Sequence, residues 1–230
     1  MGRFGWRLAL ALALLTPSLA AAQDAASPAP LEKLSLKPHR VKGLLLGYGY
    51  TVGEFTGEVR SRAQATRALV YSSDRGKTVF TLSSPRLSAP MTVSCAGGRS
   101  HMKLAWIEFN VRELAYVCSY EGGPPDADFA LAFSDVRGLA SLQQPQRAAQ
   151  QVFGGVTLQA RTKRMPGAMM IGGGRVLSYQ ITHDGREVGG LVRGMMQPTF
   201  YLPPAGSPER DAVAVTALSL FFFPDPDDQP

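Results

Sequence analysis

The sequence predicts a mainly β protein: an antiparallel β-barrel of hairpins wrapped around one buried hydrophobic helix at the C-terminus, with a β-sandwich carrying the same helix as the alternative. Three observations carry that expectation. From Gly43 onward, short stretches of apolar–polar alternation follow one another, bounded by glycine and aspartate turn signals. The run Ser207 to Pro224, SPERDAVAVTALSLFFFP, is apolar nearly all round at helical periodicity, as in a helix with no solvent face. Beyond the first 22 residues no second run of that kind occurs, so one core and one domain are expected over 43–224.

Taken in order, the chain opens on a secretion signal over residues 1–22. Arg3 and Arg7 form its positive region, Leu8 to Leu15 its apolar core, and Ala20-Ala21-Ala22 its small-residue cleavage site. Removal of those two arginines from the 24 Lys and Arg leaves 22 basic against 18 acidic residues, a net charge of +4. That excess mildly favours anionic partners and is too small to indicate nucleic-acid binding, which export also disfavours. Residues 23–42, with Ser27-Pro28-Ala29-Pro30, read as a flexible Pro/Ala-rich leader.

Glycines 47, 49, 53 and 57 then punctuate LLLGYGYTVGEFTGEV, as at the bends and bulges of a curved sheet. Their spacing is not G-x-G-x-x-G, which excludes a dinucleotide site. Leu69 to Ser72 and Val79 to Leu82 are expected to form a hairpin about Asp74-Arg75-Gly76. Ala105, Ile107, Phe109 and Val111 line one face of a strand, and Leu114 to Tyr120 forms the next. Phe129, Leu131 and Phe133 alternate with Ala130 and Ala132, a large/small pattern suited to a barrel wall. Gln143 to Gln151 is expected as a short polar surface helix. Val176 to Thr182 and Glu187 to Val192 flank His183-Asp184-Gly185, a strong hairpin signal. The stretches Arg67 to Gly76 and Arg175 to Gly185 resemble one another, and each follows a basic strand, which hints at two related halves.

Cys95 and Cys118 are the only cysteines, and an even count in an exported chain points to a structural disulfide between them. In the closing helix, expected at about 208–223, Ser207 would cap the free amides, Pro208 suits the first position and Pro224 ends it. Its seven large apolar side chains represent on the order of 10–20 kcal/mol of gross burial energy. Thr216 and Ser219 can return hydrogen bonds to carbonyls one turn earlier and so tolerate burial. With about a dozen apolar residues before the acidic tail 225–230, the run is too short to span a membrane, so no transmembrane segment is expected in the mature chain.

Hairpins followed by a single hydrophobic C-terminal helix resemble the tubby-like superfamily, which includes the phospholipid scramblases and the LURP-one-related proteins. The residues that carry the resemblance are Leu177 to Ile181, Asp184 to Gly189, and Glu209-Arg210-Asp211 at the helix start. It covers mostly the last third of the chain. It implies a closed barrel around the helix and a non-enzymatic, lipid- or membrane-associated protein.

A search for catalytic constellations returns near misses. Gly98-Arg99-Ser100-His101-Met102 starts like a nucleophile elbow, but Met102 stands where the second glycine is needed. His39, His101 and His183 lack metal-ligand spacing, and no cofactor or metal is expected. The expectation is a non-enzymatic, exported envelope protein, periplasmic or extracellular, that binds a lipid, an apolar ligand or a partner protein. The alternative is a hydrolase with a dispersed Ser/His/acid site, for which Ser100 and His101 are the candidates. The candidate anion-binding residues are Arg60 and Arg62 on one strand and Arg161, Lys163 and Arg164 on another, expected to face solvent as one basic strip toward an anionic lipid surface. Tyr48, Tyr50, Trp106 and Tyr120 are candidate exposed aromatics. Met169, Met170, Met195 and Met196 form two pairs beside glycines, suited to adaptable apolar contacts or to core filling.

Overall fold

The computed structural model describes residues 30–44, 47–61, 77–97, 114–133, 147–163, 178–193 and 197–224. The first strands are β1 Glu32–Ser35, β2 Lys37–His39, β3 Tyr48–Val52, β4 Phe55–Ser61, β5 Lys77–Leu82, β6 Met91–Ala96 and β7 Leu114–Glu121. They are followed by β8 Asp128–Phe133, β9 Arg147–Phe153, β10 Val156–Thr162, β11 Ser178–His183, β12 Arg186–Val192 and β13 Thr199–Leu202. The helix α1, Arg210–Phe221, completes the described elements.

All pairing is antiparallel, and every strand from β3 to β12 lies beside its neighbours in sequence. The two sheet edges, β1 and β2, are separated only by Leu36. One extended segment therefore pairs first with β13, Glu32 opposite Leu202, and then with β3, Lys37 opposite Thr51. The sheet curls into a nearly closed barrel whose seam is that shared segment. Closure of this kind leaves little free edge for another chain to extend.

Alternate residues of the strands point inward, among them Tyr50, Phe80, Val93, Phe129, Leu158 and Phe200, all buried. Helix α1 fills the space they enclose, and every residue from Ala212 to Leu220 is buried. Its fit requires small residues in the wall. A Cβ on Gly189 would collide with Val213 of the helix, and one on Gly57 with the Thr81 carbonyl. The Phe221-Phe222-Phe223 run locks the far end of the helix. Phe222 sits 5.1 Å from both Tyr50 and Phe80, Phe223 4.8 Å from Tyr116, and Phe221 5.7 Å from Phe200. Tilted rings at these spacings each add a fraction of a kcal/mol to about 1.5 kcal/mol beyond burial.

The barrel and its buried helix match the sequence expectation, but several elements differ. Residues 32–39, expected in the flexible leader, form β1 and β2, because their backbone groups complete the ladders of β13 and β3. The polar helix expected at Gln143 to Gln151 is replaced, from Arg147 on, by β9, whose alternating Ala149, Gln151 and Phe153 are buried. Val79 to Leu82 lies in β5, between β4 and β6, while its expected partner Leu69 to Ser72 lies outside the described residues. The helix begins at Arg210 with Glu209 as its cap and no side-chain capping bond, so Ser207 does not cap it. Ser207 instead accepts the Arg210 amide through its carbonyl, 3.2 Å, in the preceding turn. The hairpin about Asp184-Gly185 is as expected, both residues having positive φ, 48° and 76°. The expected strand Ala105 to Val111 lies outside the described residues.

The disulfide is present. Cys95 and Cys118 stand directly opposite one another on β6 and β7, and both are buried.

Candidate functional site

The two ends of the barrel differ in chemistry, and the strand order defines them. At the entry end, where the chain enters α1, lie the turns at Gly53–Glu54, Gly154–Gly155 and Asp184–Gly185. At the exit end the helix finishes at Phe222, whose carbonyl accepts from the Thr78 hydroxyl, 3.3 Å, near the start of β5.

Acidic residues dominate the entry end. Glu54, Glu121, Asp126, Asp128, Asp184 and Glu209 all lie in or beside its turns. The arginines there are engaged by acids of the chain itself. Arg86 contacts Asp211 at 3.1 Å and Arg186 contacts Glu209 at 3.6 Å. Arg210, 2% exposed, donates to Glu54 at 2.5 Å, to Glu32 at 2.8 Å, and to the Pro203 carbonyl. The Arg210 hydrogen bonds hold both glutamate carboxyls below their ordinary range, and the bonds it donates, to Glu54 first and then to Glu32, raise the guanidinium against the opposing effect of burial. Arg210 thus joins the helix start, the seam strand β1 and the β3–β4 turn. This is a structural clasp.

Among the described residues, the exit end is basic. Arg40 and Lys42 follow β2, Arg60 lies near the end of β4, Lys77 opens β5 and Lys163 follows β10. Arg60, Arg161 and Lys163 are exposed, on the outer face expected for them, and Lys77 is exposed as well. Glu58 partly offsets Arg60 at 3.9 Å, and Lys163 reaches Glu187 at 3.2 Å across the wall. Arg62 and Arg164 lie outside the described residues. The two predicted basic strands do not form one strip: β4 and β10 are six places apart in the strand order, on opposite sides of the barrel. What they share is the exit end.

Of the aromatic candidates, Tyr48 at the start of β3 is 36% exposed. Tyr50 is an interior residue that donates to the Thr81 carbonyl at 2.7 Å, and burial raises its pKa. Tyr120 donates to Gln151 Oε1 at 2.7 Å, and Gln151 donates to the Asp128 and Val152 carbonyls at 2.9 and 2.8 Å. Neither tyrosine lines an outer groove. Trp106 and the methionine pairs lie outside the described residues, as do Ser100 and His101. His39 lies on β2 rather than in a free leader, and His183 stands 3.7 Å from Asp184 at a hairpin turn. Among the described residues no cluster of His, Cys, Asp or Glu could hold a metal ion, and no helix is long and apolar enough to cross a membrane.

No protein-family model matches the chain, and neither does any curated protein or solved structure.

Proposed function

We propose that the protein is a non-enzymatic module of the cell envelope that attaches to an anionic lipid surface through the exit end of its barrel. The observation that carries this reading is the separation of charge between the two ends: basic groups gather where the helix finishes, and acidic groups where it begins. A barrel filled by a helix has no lumen for transport, and its binding chemistry is displaced to the ends and outer wall. Tyr48, an amphipathic ring on the basic end, suits the headgroup level of a bilayer. A secretion signal over residues 1–22, as read from the sequence, would bring the protein to envelope membranes, and the order of hairpins before a core helix is in keeping with the resemblance to the tubby-like superfamily.

The test is co-sedimentation of the mature protein with anionic and neutral vesicles. Each basic residue close to an anionic bilayer contributes about 1 kcal/mol, so attachment should be weak and salt-sensitive. Replacing Arg40, Lys42, Arg60 and Lys77 by Ser should abolish it, while Arg186→Ser at the opposite end should not. Binding that persists in the fourfold variant would exclude the exit end as the docking face.

A further inference from the structure

The segment that closes the barrel is held unequally along its length. Its entry half, β1, is anchored by side chains as well as by four backbone pairs with β13. Glu32 accepts from Arg210 at 2.8 Å and from the Ala205 amide at 3.1 Å. Leu34 lies against Gly53, and Leu36 is buried in the core. The exit half, β2, has three pairs with β3 and no such anchors. Lys37, Pro38 and His39 are all exposed, and Pro38 has no amide hydrogen to give to a ladder. Among the described residues, Lys37, His39, Arg40 and Lys42 make no side-chain hydrogen bond or ion pair. The imidazole of His39 lies over Gly49 of β3, where a Cβ would collide with it. Just past β2 the chain turns at Val41 to Leu44, with Gly43 at φ 83°.

We infer that β2 is a latch: it lifts from β3 while β1 stays clasped, and the uncovered edge of β3 takes an extended segment of another polypeptide in its place. The unequal attachment carries the opening. Local opening begins where backbone bonds are exposed and little apolar surface is buried, which describes β2 and not β1. Backbone chemistry carries the choice of partner. An uncovered strand edge presents amides and carbonyls in fixed alternation, and an added strand satisfies them as a ladder. The pattern that fits this edge is that of β2 itself. Pro38 stands opposite Tyr50, a buried inward residue, so a compact apolar side chain belongs at that position. Its neighbours Lys37 and His39 stand opposite Thr51 and Gly49 on the outer face, where a polar chain or a flat ring is accommodated. While β2 is seated it shields the edge from indiscriminate pairing. The latch goes beyond the lipid attachment proposed above and does not depend on it. The competing role is structural, with β2 as fixed in the wall as β1.

The experiment uses the mature full-length protein and, as probe, a labelled synthetic peptide of its own residues Ser35 to Leu44. Amides between β2 and β3 are expected to exchange hydrogen at least about tenfold faster than those between β1 and β13. Equal protection of the two halves overturns the latch. His39→Gly, at an exposed position, should widen the difference and raise the affinity for the peptide several-fold. Lys37→Cys with Thr51→Cys, opposite one another in register, should lock β2 in place once peptide mapping shows the new disulfide. The locked protein is expected to lose both the fast exchange and the peptide. Peptide bound equally by wild-type and locked protein is seated elsewhere and overturns strand addition. Should the locked variant fail to fold, His39→Gly decides alone: a variant that takes up no peptide overturns strand addition.

Discussion

Arg210 is held by Glu32, Glu54 and the Pro203 carbonyl. It is fully buried, yet its two carboxylate partners retain side-chain exposures of 40% and 31%, so water can reach the acids if the guanidinium is lost. Removing one partner of a buried pair costs about 3–5 kcal/mol, and this exposure places Arg210→Met toward the lower end, about 3 kcal/mol by chemical denaturation. The same clasp sets the response to acid. Glu32 and Glu54 have folded-state pKa values below the ordinary 4.5, so the unfolded chain takes up their protons first as pH falls. Their stabilising contribution is complete above pH 4.5 and is lost as pH falls below it, through the depressed folded values. Thermal melts between pH 7 and pH 2 should show that decline, and Glu54→Gln should flatten it. Parallel pH profiles for wild type and Glu54→Gln would contradict the assignment.

At the scale of elements, α1 is the core of the barrel rather than an appendage. A chain ending after Arg210 should lose its cooperative melt and become protease-sensitive, because the inner faces of its strands would lose the helix they pack on. A truncated protein that still melted cooperatively would refute the core role. Wall and helix approach closely at Gly189, where Gly189→Ala must displace Val213 and should cost about 1–3 kcal/mol. The Cys95–Cys118 bridge spans 23 residues and contributes about 3 kcal/mol on the chain-entropy account. Peptide mapping without reductant should find no free thiol in the native protein, and Cys95→Ser with Cys118→Ser should lower stability by about that amount. These elements were legible to different degrees. The Asp184-Gly185 hairpin is local chemistry, since two positive-φ positions demand such residues. The strand at Arg147–Phe153 was not legible, because QRAAQQ is polar and alanine-rich and only its neighbours β8 and β10 make it a strand.

For the whole molecule, closure of the barrel rests on a segment that reads as a linker. In Glu32 to His39 the short alternation Lys33-Leu34-Ser35-Leu36-Lys37 is outweighed in a sequence reading by Pro38 and four charged or titratable side chains that favour solvent. A deletion that removes residues through His39 should open the seam and expose the edges of β13 and β3, read as loss of hydrogen-exchange protection in those strands. Protection that survived the deletion would show the seam to be dispensable.

Composition, turn chemistry and the all-round apolar pattern of the last helix determined the fold class, the buried helix and the pairing of the two cysteines. Each is a property of a local stretch, or of a count that admits one partner. The distribution of charge over the surface was decided only by the tertiary structure. Arg60 and Arg161 lie on basic strands that look alike in sequence, but the barrel sets them on opposite sides. Arg147 sits in a polar run that points outward if read as a surface helix, and inward once β9 is part of a wall. A strand's period of two decides only that neighbours face opposite ways. Which face looks into the barrel, and which end gathers the charge, depends on partners far along the chain.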